Sequence, residues 1–530
     1  MKHNVVNIAP KCMVVTPHHL ATQSAISILR NGGTAMEAMV AAAATIAVVY
    51  PHMNSIGGDG FWLIVPPNGD PVAIEACGAA GSQVTEDFFK GLNRIPYKGN
   101  KAANTVAGTV GGWDEVLNYV RESGYQRTSV SKLLADAIRY AEEGYPMTRA
   151  QKITLENEQS SGNLFKDFTD VFLPDGRIPE VGENFRQPQL AITLKSLARN
   201  GLKSFYKGEV GDKIAADMAS IGLPITKKDL ENYSPVRKVP LRLLHKHAEL
   251  YNLPPPTQGI VSLIILGILN DLDIDGDDEG KFVHTAIEAT KQGFQVRDKY
   301  ITDPRFMTVD PKTLLTSSFI NDMAKKISPN SSSAFGKGKG PGDTIWMGAM
   351  DDKGFSVSFI QSIYFEFGSG VLLPQTGIIW HNRGVGFSLQ KEHILSIQPG
   401  KKPFHTLNPA AAKLLDGRIM VYGTSGGDGQ PQTQAAVFHR YVVQNQDLQT
   451  AVSSPRWLYG KTTGDAEDSV KLEGRFNKEV INYLKERGHE IVLLPDYSKK
   501  MGQAGALVRH PNGMMEGAYD PRSHGSAAGF

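Results

Sequence analysis

Two short stretches carry residue types that could perform acyl-transfer chemistry. The first is "SSSAFGKGKGPGDTIWMGAMDDKGFSVSF", residues 331–359. Ser, Gly and Lys fill its first third, and Thr344 then opens a strand-like run with no turn between. A threonine placed there, behind a low-complexity linker, fits a self-cleaving N-terminal nucleophile. Its hydroxyl would attack the carbonyl of Asp343, an ester would form by N-to-O shift, and water would resolve it. The freed Thr344 would carry a hydroxyl and an α-amine with an ordinary pKa of about 7.7–8.0, able to take the hydroxyl's proton near neutral pH. The linker's composition suits a segment that must leave the pocket after scission.

The second stretch is "YGTSGGDGQPQTQAAVFHRYVV". A strand ends at Tyr422, a Gly-rich loop opens, and an amphipathic helix is expected from about Pro431. Successive N–H groups at such a junction make an anion-binding nest, which in an acyl-transfer enzyme serves as an oxyanion hole. By itself the loop reads as a tight turn; with Thr344 in the chain, the oxyanion reading gains weight.

Other candidate motifs fail on spacing. "DLDIDGDDEGKF" sets Asp271, Asp273, Asp275 and Gly276 in calcium-loop register, but the closing glutamate would fall at Phe282, so an acidic surface loop is expected. His18 and His19 have no further ligand at zinc spacing and suit a helix start. "GKGKGPGDT" lacks the Gly-Lys-Ser/Thr of a phosphate loop. Gly57, Gly58 and Gly60 are expected to serve tight backbone geometry rather than a ligand. No metal or organic cofactor is called for.

Elements must position these residues. Thr34 and Glu37 form a capping box for the Ala-rich run that Pro51 ends. "VSKLLADAIRYAEEG" and "QPQLAITLKSLARNG" read as amphipathic helices stopped by glycine. "PPPTQGIVSLIILGIL" reads as a buried helix, and "FVHTAIEATKQGFQVRDKY" as another that stops near Asp303-Pro304. After Thr344 the pattern turns to strands, with a turn at residues 351–354. A mostly helical first part and a strand-rich second part point to an α+β fold.

Composition sets outer limits. The 530 residues are 41% hydrophobic and 21% charged, with net charge +2, which offers no electrostatic case for nucleic acid or a membrane surface. Two cysteines, Cys12 and Cys77, support neither a disulfide framework nor a four-thiolate zinc site. The N-terminal run lacks a secretory pattern, and Ala38 to Tyr50 is too short to span a bilayer, so a cytoplasmic protein is expected.

Ordered blocks along nearly the whole chain, among them "PHMNSIGGDGF", "VAGTVGGWDE", "QPQLAITLKSLA", "IEATKQGF", "FEFGSGVLLPQTGI", "GTSGGDGQ" and "YDPRSHGSAAG", resemble the γ-glutamyltranspeptidase family. The resemblance implies an Ntn-hydrolase αββα four-layer sandwich, two stacked and mostly antiparallel sheets between helical layers. It implies one precursor cut at Asp343-Thr344 into a large subunit, 1–343, and a small subunit, 344–530, that stay together; a dimer of such units is the assembly it would allow. The nucleophile falls on Thr344, the oxyanion glycines on Gly426 and Gly427, and the hydroxyl that orients the nucleophile on Ser362, a Ser in place of Thr.

The departures bear on substrate. Family members that bind a γ-glutamyl group hold its α-carboxylate with an Arg, where Cys77 stands here. They hold its α-amine with an Asn, a Glu or Gln, and an Asp, where Tyr364, Arg383 and Gly386 stand. Their paired serines are replaced by His405 and Thr406. An ammonium needs acceptors that this pocket has lost, whereas Arg383 offers donors suited to a carboxylate. The expected substrate is a small anionic amide without an α-amine; oxamate, a primary amide beside a carboxylate, suits it. The alternative for Arg383 is a structural salt bridge. The alternatives for the chain are a γ-glutamyl hydrolase or transferase, an acylase for a dicarboxylic acyl amide, and, in another class, a silent binding protein that never matures.

Overall fold

Two antiparallel sheets lie face to face, with helices on their outer faces. The computed structural model describes residues 6–162, 164–274, 278–333, 343–460 and 469–530. Asp275 and Gly276 of the acidic loop, and the linker 334–342, lie outside the described residues.

The strands are β1 (Asn7–Ala9), β2 (Met13–Thr16), β3 (Asp59–Val65), β4 (Val72–Ala76), β5 (Val236–Lys238), β6 (Leu241–His245), β7 (Ala248–Asn252), β8 (Asp343–Met350), β9 (Ser356–Tyr364), β10 (Ala410–Leu414), β11 (Ile419–Thr424), β12 (Ala504–Arg509), β13 (Met515–Tyr519) and β14 (Ser526–Gly529). One sheet has the order β1-β13-β12-β11-β10-β7-β6 and the other β14-β2-β8-β9-β3-β4-β5. Seven of these strands precede the linker and seven follow it, and both sheets mix the two sets. Most described helices do lie before Thr344, as expected, but the first part also supplies half of the strands in the two sheets. Pairing β2 with both β8 and β14 joins the two segments, so neither can complete a sheet alone.

Strand alternation divides the core into layers. Phe61, Leu63, Trp346, Ile360, Val421 and Leu507 point into the gap between the sheets. Trp62, Ile64, Val357 and Phe359 point outward, toward α1 (His19–Arg30), α2 (Ala35–Val49), α3 (Thr109–Glu122) and α4 (Pro188–Asn200). The other sheet is covered by α5 (Gly259–Asp271), α6 (Glu279–Tyr300) and α7 (Gly429–Phe438).

The local signals explain the helices. Thr34 N–H donates to Glu37 Oε2 at 2.8 Å and Glu37 N–H donates to Thr34 Oγ1 at 3.2 Å, the reciprocal cap at the start of α2. Every residue of α2 is buried, which its alanines permit by letting neighbours approach closely. His18 caps α1, its Nδ1 accepting from Leu20 N–H at 3.3 Å. The run from Val130 to Glu143 breaks at Leu134 into two short helices. A Cβ at Gly57 would overlap the Ile379 carbonyl and one at Gly58 the Ser362 carbonyl. Close backbone approach is therefore what these two glycines provide.

Candidate active site

Thr344 is the second residue of β8, where the pairing with β9 is irregular. Asp343 pairs with Tyr364 and Ile345 with Gln361, so Ser362 and Ile363 together oppose Thr344. Such a bulge re-aims side chains. Trp346 and Ile360 face the gap between the sheets, and alternation puts Thr344 and Ser362 on that face too. Thr344 Oγ1 donates to Ser362 Oγ at 3.1 Å, and Ser362 Oγ accepts from Tyr364 N–H at 2.8 Å. Both hydroxyls are buried. Trp346 fixes the spacing: its Nε1–H donates to Ser358 Oγ at 2.9 Å, and its indole fills a slot where Gly423 and Gly505 of the facing sheet leave no room for a Cβ.

Across the gap, β11 ends at Thr424 and α7 begins at Gly429, slightly before the expected Pro431. Gly426 and Gly427 between them take φ of 104° and 51°, the left-handed region that favours glycine. The loop is tied on every side. Ser425 N–H donates to Gln503 O at 3.1 Å, and Gln503 N–H to Ser425 Oγ at 2.8 Å. Gln258 Nε2 donates to Gly427 O at 2.8 Å and to Thr406 O at 3.0 Å. Arg297 Nη1 donates to Asp428 Oδ1 at 2.8 Å. Neither Gly426 N–H nor Gly427 N–H donates to another described residue. Two adjacent donors at the N-terminus of a helix are suited to a developing oxyanion.

A second group gathers around Arg383, which is 1% exposed. Its guanidinium carbon lies 3.9 Å from the centre of the Tyr364 ring, and Nη1 donates to Thr406 Oγ1 at 3.3 Å. Tyr364 has φ of 82°, which is strained for an aromatic residue and aims its ring at Arg383. Among the described residues Nη2 has no hydrogen-bond partner, and no carboxylate lies within 4.0 Å of the guanidinium. His405 is buried against Phe61, and neither of its ring nitrogens is hydrogen-bonded among the described residues. Asp59 Oδ2 lies 3.2 Å from His381 Nδ1 and 3.7 Å from His405 Nε2.

Burial governs the ionisation here. It pushes the Tyr364 phenol up to about 12, with Arg383 opposing the rise. It holds the Arg383 guanidinium below its ordinary range. His405 is held well below the ordinary histidine value, first by burial and then by the charges of Arg383, His381 and Lys402, so its imidazole is neutral. Cys77 is buried, and desolvation together with Glu75 raises its thiol well above the usual range. Among the described residues no group of three or more His, Cys, Asp or Glu side chains is arranged to hold a metal ion.

The structure brings Thr344 to Ser362, and Arg383 to Tyr364 and Thr406, with His405 adjoining. A Cβ at Gly386 would meet only the Phe404 carbonyl, at 3.7 Å, so the glycine leaves open the space an acidic side chain would take. Of Asp343 only the backbone is described. Upstream of the linker, Lys291 Nζ donates to Ser332 Oγ at 2.7 Å and to Ser333 O at 2.8 Å, and Ser333 N–H donates to Glu288 Oε2 at 3.1 Å. That segment is thereby anchored to α6. Sequence reasoning missed Asp59, His381, Gln258 and the Arg297–Asp428 pair. Asp59 had a signal, as the one charged residue inside the "GGDG" run.

The family model described as Gamma-glutamyltranspeptidase matches residues 21–530. The "Oxamate amidohydrolase proenzyme" of Klebsiella pneumoniae is 55% identical, with 99% of each chain covered. The "Glutathione hydrolase-like YwrD proenzyme" of Bacillus subtilis is 37% identical, again with 99% of each covered. Among solved structures, cephalosporin acylase from Bacillus halodurans superposes with a TM-score of 0.91 at 32% identity, covering 99% of this chain and 97% of that one.

Proposed function

We propose a function from one premise: the chain belongs to the gamma-glutamyltranspeptidase family. It is an amidohydrolase of the Ntn-hydrolase fold that splits oxamate into oxalate and ammonia. The observation that carries the substrate is Arg383, a guanidinium buried without a carboxylate partner among the described residues. An unpaired buried cation is costly, and the carboxylate of a small amide would supply the missing charge. The named activity of the Klebsiella relative agrees with this reading.

In the proposed mechanism Thr344 first attacks the Asp343 carbonyl, and hydrolysis of the ester frees the Thr344 amine. The two fragments stay together because both contribute strands to each sheet. Arg383 and Thr406 orient oxamate, with His405 beside its carboxylate. The Thr344 hydroxyl, held by Ser362, attacks the amide carbon while the α-amine takes its proton. The N–H groups of Gly426 and Gly427 receive the oxyanion. The amine returns the proton to nitrogen, the C–N bond breaks, and ammonia leaves. Water, activated by the same amine, then cleaves the ester and releases oxalate.

The ammonium of a γ-glutamyl group would find Arg383 where it needs an acceptor, and the Tyr364 ring opposes a longer acyl chain of the kind an acylase accepts. No described helix is long and apolar enough to cross a membrane. The proposal includes a cytoplasmic setting, which two buried and unpaired cysteines suit.

Ammonia release from purified protein tests the reading. Oxamate should be hydrolysed well above a γ-glutamyl anilide or a simple neutral amide, and the smaller fragment should begin at Thr344 on N-terminal sequencing. Preference for the γ-glutamyl substrate, or a fragment with another start, would refute it.

A further inference from the structure

Asp59 and His381 adjoin the anion-binding group and take no part in the mechanism above. We propose that His381 is a specificity-determining residue: it keeps the Asp59 carboxylate neutralised, so that the charge of Arg383 remains available to the substrate. The inference rests on the reading of Arg383 as the substrate's anchor.

Asp59 opens β3 and sits directly across from Ser362 of β9. Phe61 and Leu63, on the same face of β3, point into the gap between the sheets, so the Asp59 carboxylate faces the cavity that Thr344 faces. It is fully buried. Oδ1 accepts from Gly108 N–H at 3.0 Å. Among the described residues Oδ2 has only the two imidazoles, His381 Nδ1 at 3.2 Å and His405 Nε2 at 3.7 Å, and neither contact is aligned as a full hydrogen bond.

The protons can be assigned from the partners. His381 Nε2 lies 2.9 Å from the Thr105 carbonyl oxygen and 3.2 Å from the Thr105 hydroxyl, which can accept as well as donate. A carbonyl only accepts, so Nε2 carries a hydrogen. If Nδ1 and Oδ2 were both bare, two sets of lone pairs would face each other at 3.2 Å in a buried site. The pair therefore holds one proton beyond the one on Nε2. Written as carboxylate and imidazolium, or as acid and imidazole, the pair carries no net charge.

The other cations nearby have carboxylate partners: Lys402 and Lys238 share Glu75. Arg297 pairs with Asp428 and Asp298. His405 is neutral, and so is the Tyr364 phenol. Among the described residues Arg383 has no carboxylate partner within salt-bridge distance. Without His381, Asp59 would stand as a bare carboxylate in the same cavity. It would cancel the charge of Arg383 and repel an incoming anion.

The test uses cleaved enzyme and steady-state kinetics on oxamate and on a neutral amide of similar size, glycolamide. His381→Gln keeps a donor for Thr105 but cannot hold the shared proton. It should raise KM for oxamate about tenfold or more, because a bare carboxylate facing the site repels an incoming anion, with a smaller change in kcat and little change on glycolamide. The double variant His381→Gln/Asp59→Asn should recover most of the loss. Losses that simply add in the double variant, or that strike both substrates equally, would overturn the proposal. A second measurement needs no variant: calorimetry of oxalate binding to wild type in two buffers of different ionisation enthalpy. A neutral pair predicts no net proton uptake, and uptake of about one proton per site would overturn it. Arg383→Ala, run alongside, separates the two readings. Unchanged oxamate KM there overturns the anchor itself. A normal loss there with no loss in His381→Gln overturns only the role of His381.

Discussion

At the nucleophile end of the site, Thr344 donates to Ser362, Ser362 accepts from Tyr364, and the glycine loop is fixed by Gln258, Gln503 and the Arg297–Asp428 pair. At the other end, Arg383 Nη2 and both nitrogens of His405 are buried without a hydrogen bond among the described residues, beside the Asp59–His381 pair. The first end is held in place by these bonds, so little rearrangement would oppose the proposed chemistry. The second carries uncompensated polar atoms that a ligand would satisfy, and an unmade buried bond costs about 1–3 kcal/mol. Substitutions at the first end should therefore damage turnover of every amide. Those at the second should sort substrates by charge.

The largest effect is expected at Thr344. Thr344→Ala should remain a single uncut chain with no amidase activity, seen as one band on a denaturing gel; two bands would break the assignment. Next is Gly427→Val, which puts a β-branched residue at φ of 51°. Loss of one oxyanion donor costs about 3–4 kcal/mol, so kcat of cleaved enzyme should fall at least roughly a hundredfold, on oxamate and glycolamide alike. Near-normal turnover would remove the loop from the mechanism. Tyr364→Phe should be mild: the ring still faces Arg383, and oxamate kcat/KM should stay within about threefold, the range of one weak interaction.

The smallest effect lies outside both ends. Burial holds His245 at about 4 and His489 at about 4, and lowers His18 and His439 to about 3. Unfolded histidines titrate near 6.5. Between the two values the unfolded chain binds more protons, so stability is full above about pH 6.5 and declines as pH falls toward 4. Tm should drop over that window, and His439→Gln should flatten the decline without altering the oxamate KM. A Tm independent of pH would contradict the buried, neutral assignment.

The residues of the proposed nucleophile end stand out in the sequence because their signals are local. A threonine behind a linker and a glycine pair after a strand are both short strings. The anion end was legible only in part. Arg383, Tyr364, His405 and Thr406 stood out as departures from a family pattern, but Asp59, His381 and His405 meet from three distant segments, and no local spacing announces that contact. The glycines around Asp59 read correctly as backbone geometry and drew attention away from the carboxylate. The helices were legible from caps and periodicity. The interleaving of strands was not, because β2 pairs with β8 and β14, which lie more than 300 residues away and are paired only by tertiary contacts.

The division between the two ends is tested most directly by kcat/KM of cleaved Arg383→Ala on oxamate and on glycolamide. A charge-assisted hydrogen bond contributes about 1.5–3 kcal/mol, so oxamate should lose roughly ten- to a hundredfold or more while glycolamide loses much less. Arg383→Lys should recover little, lacking the planar fork. Equal losses on the two amides would mean that Arg383 supports the structure and does not bind the substrate's carboxylate, and the account would fail.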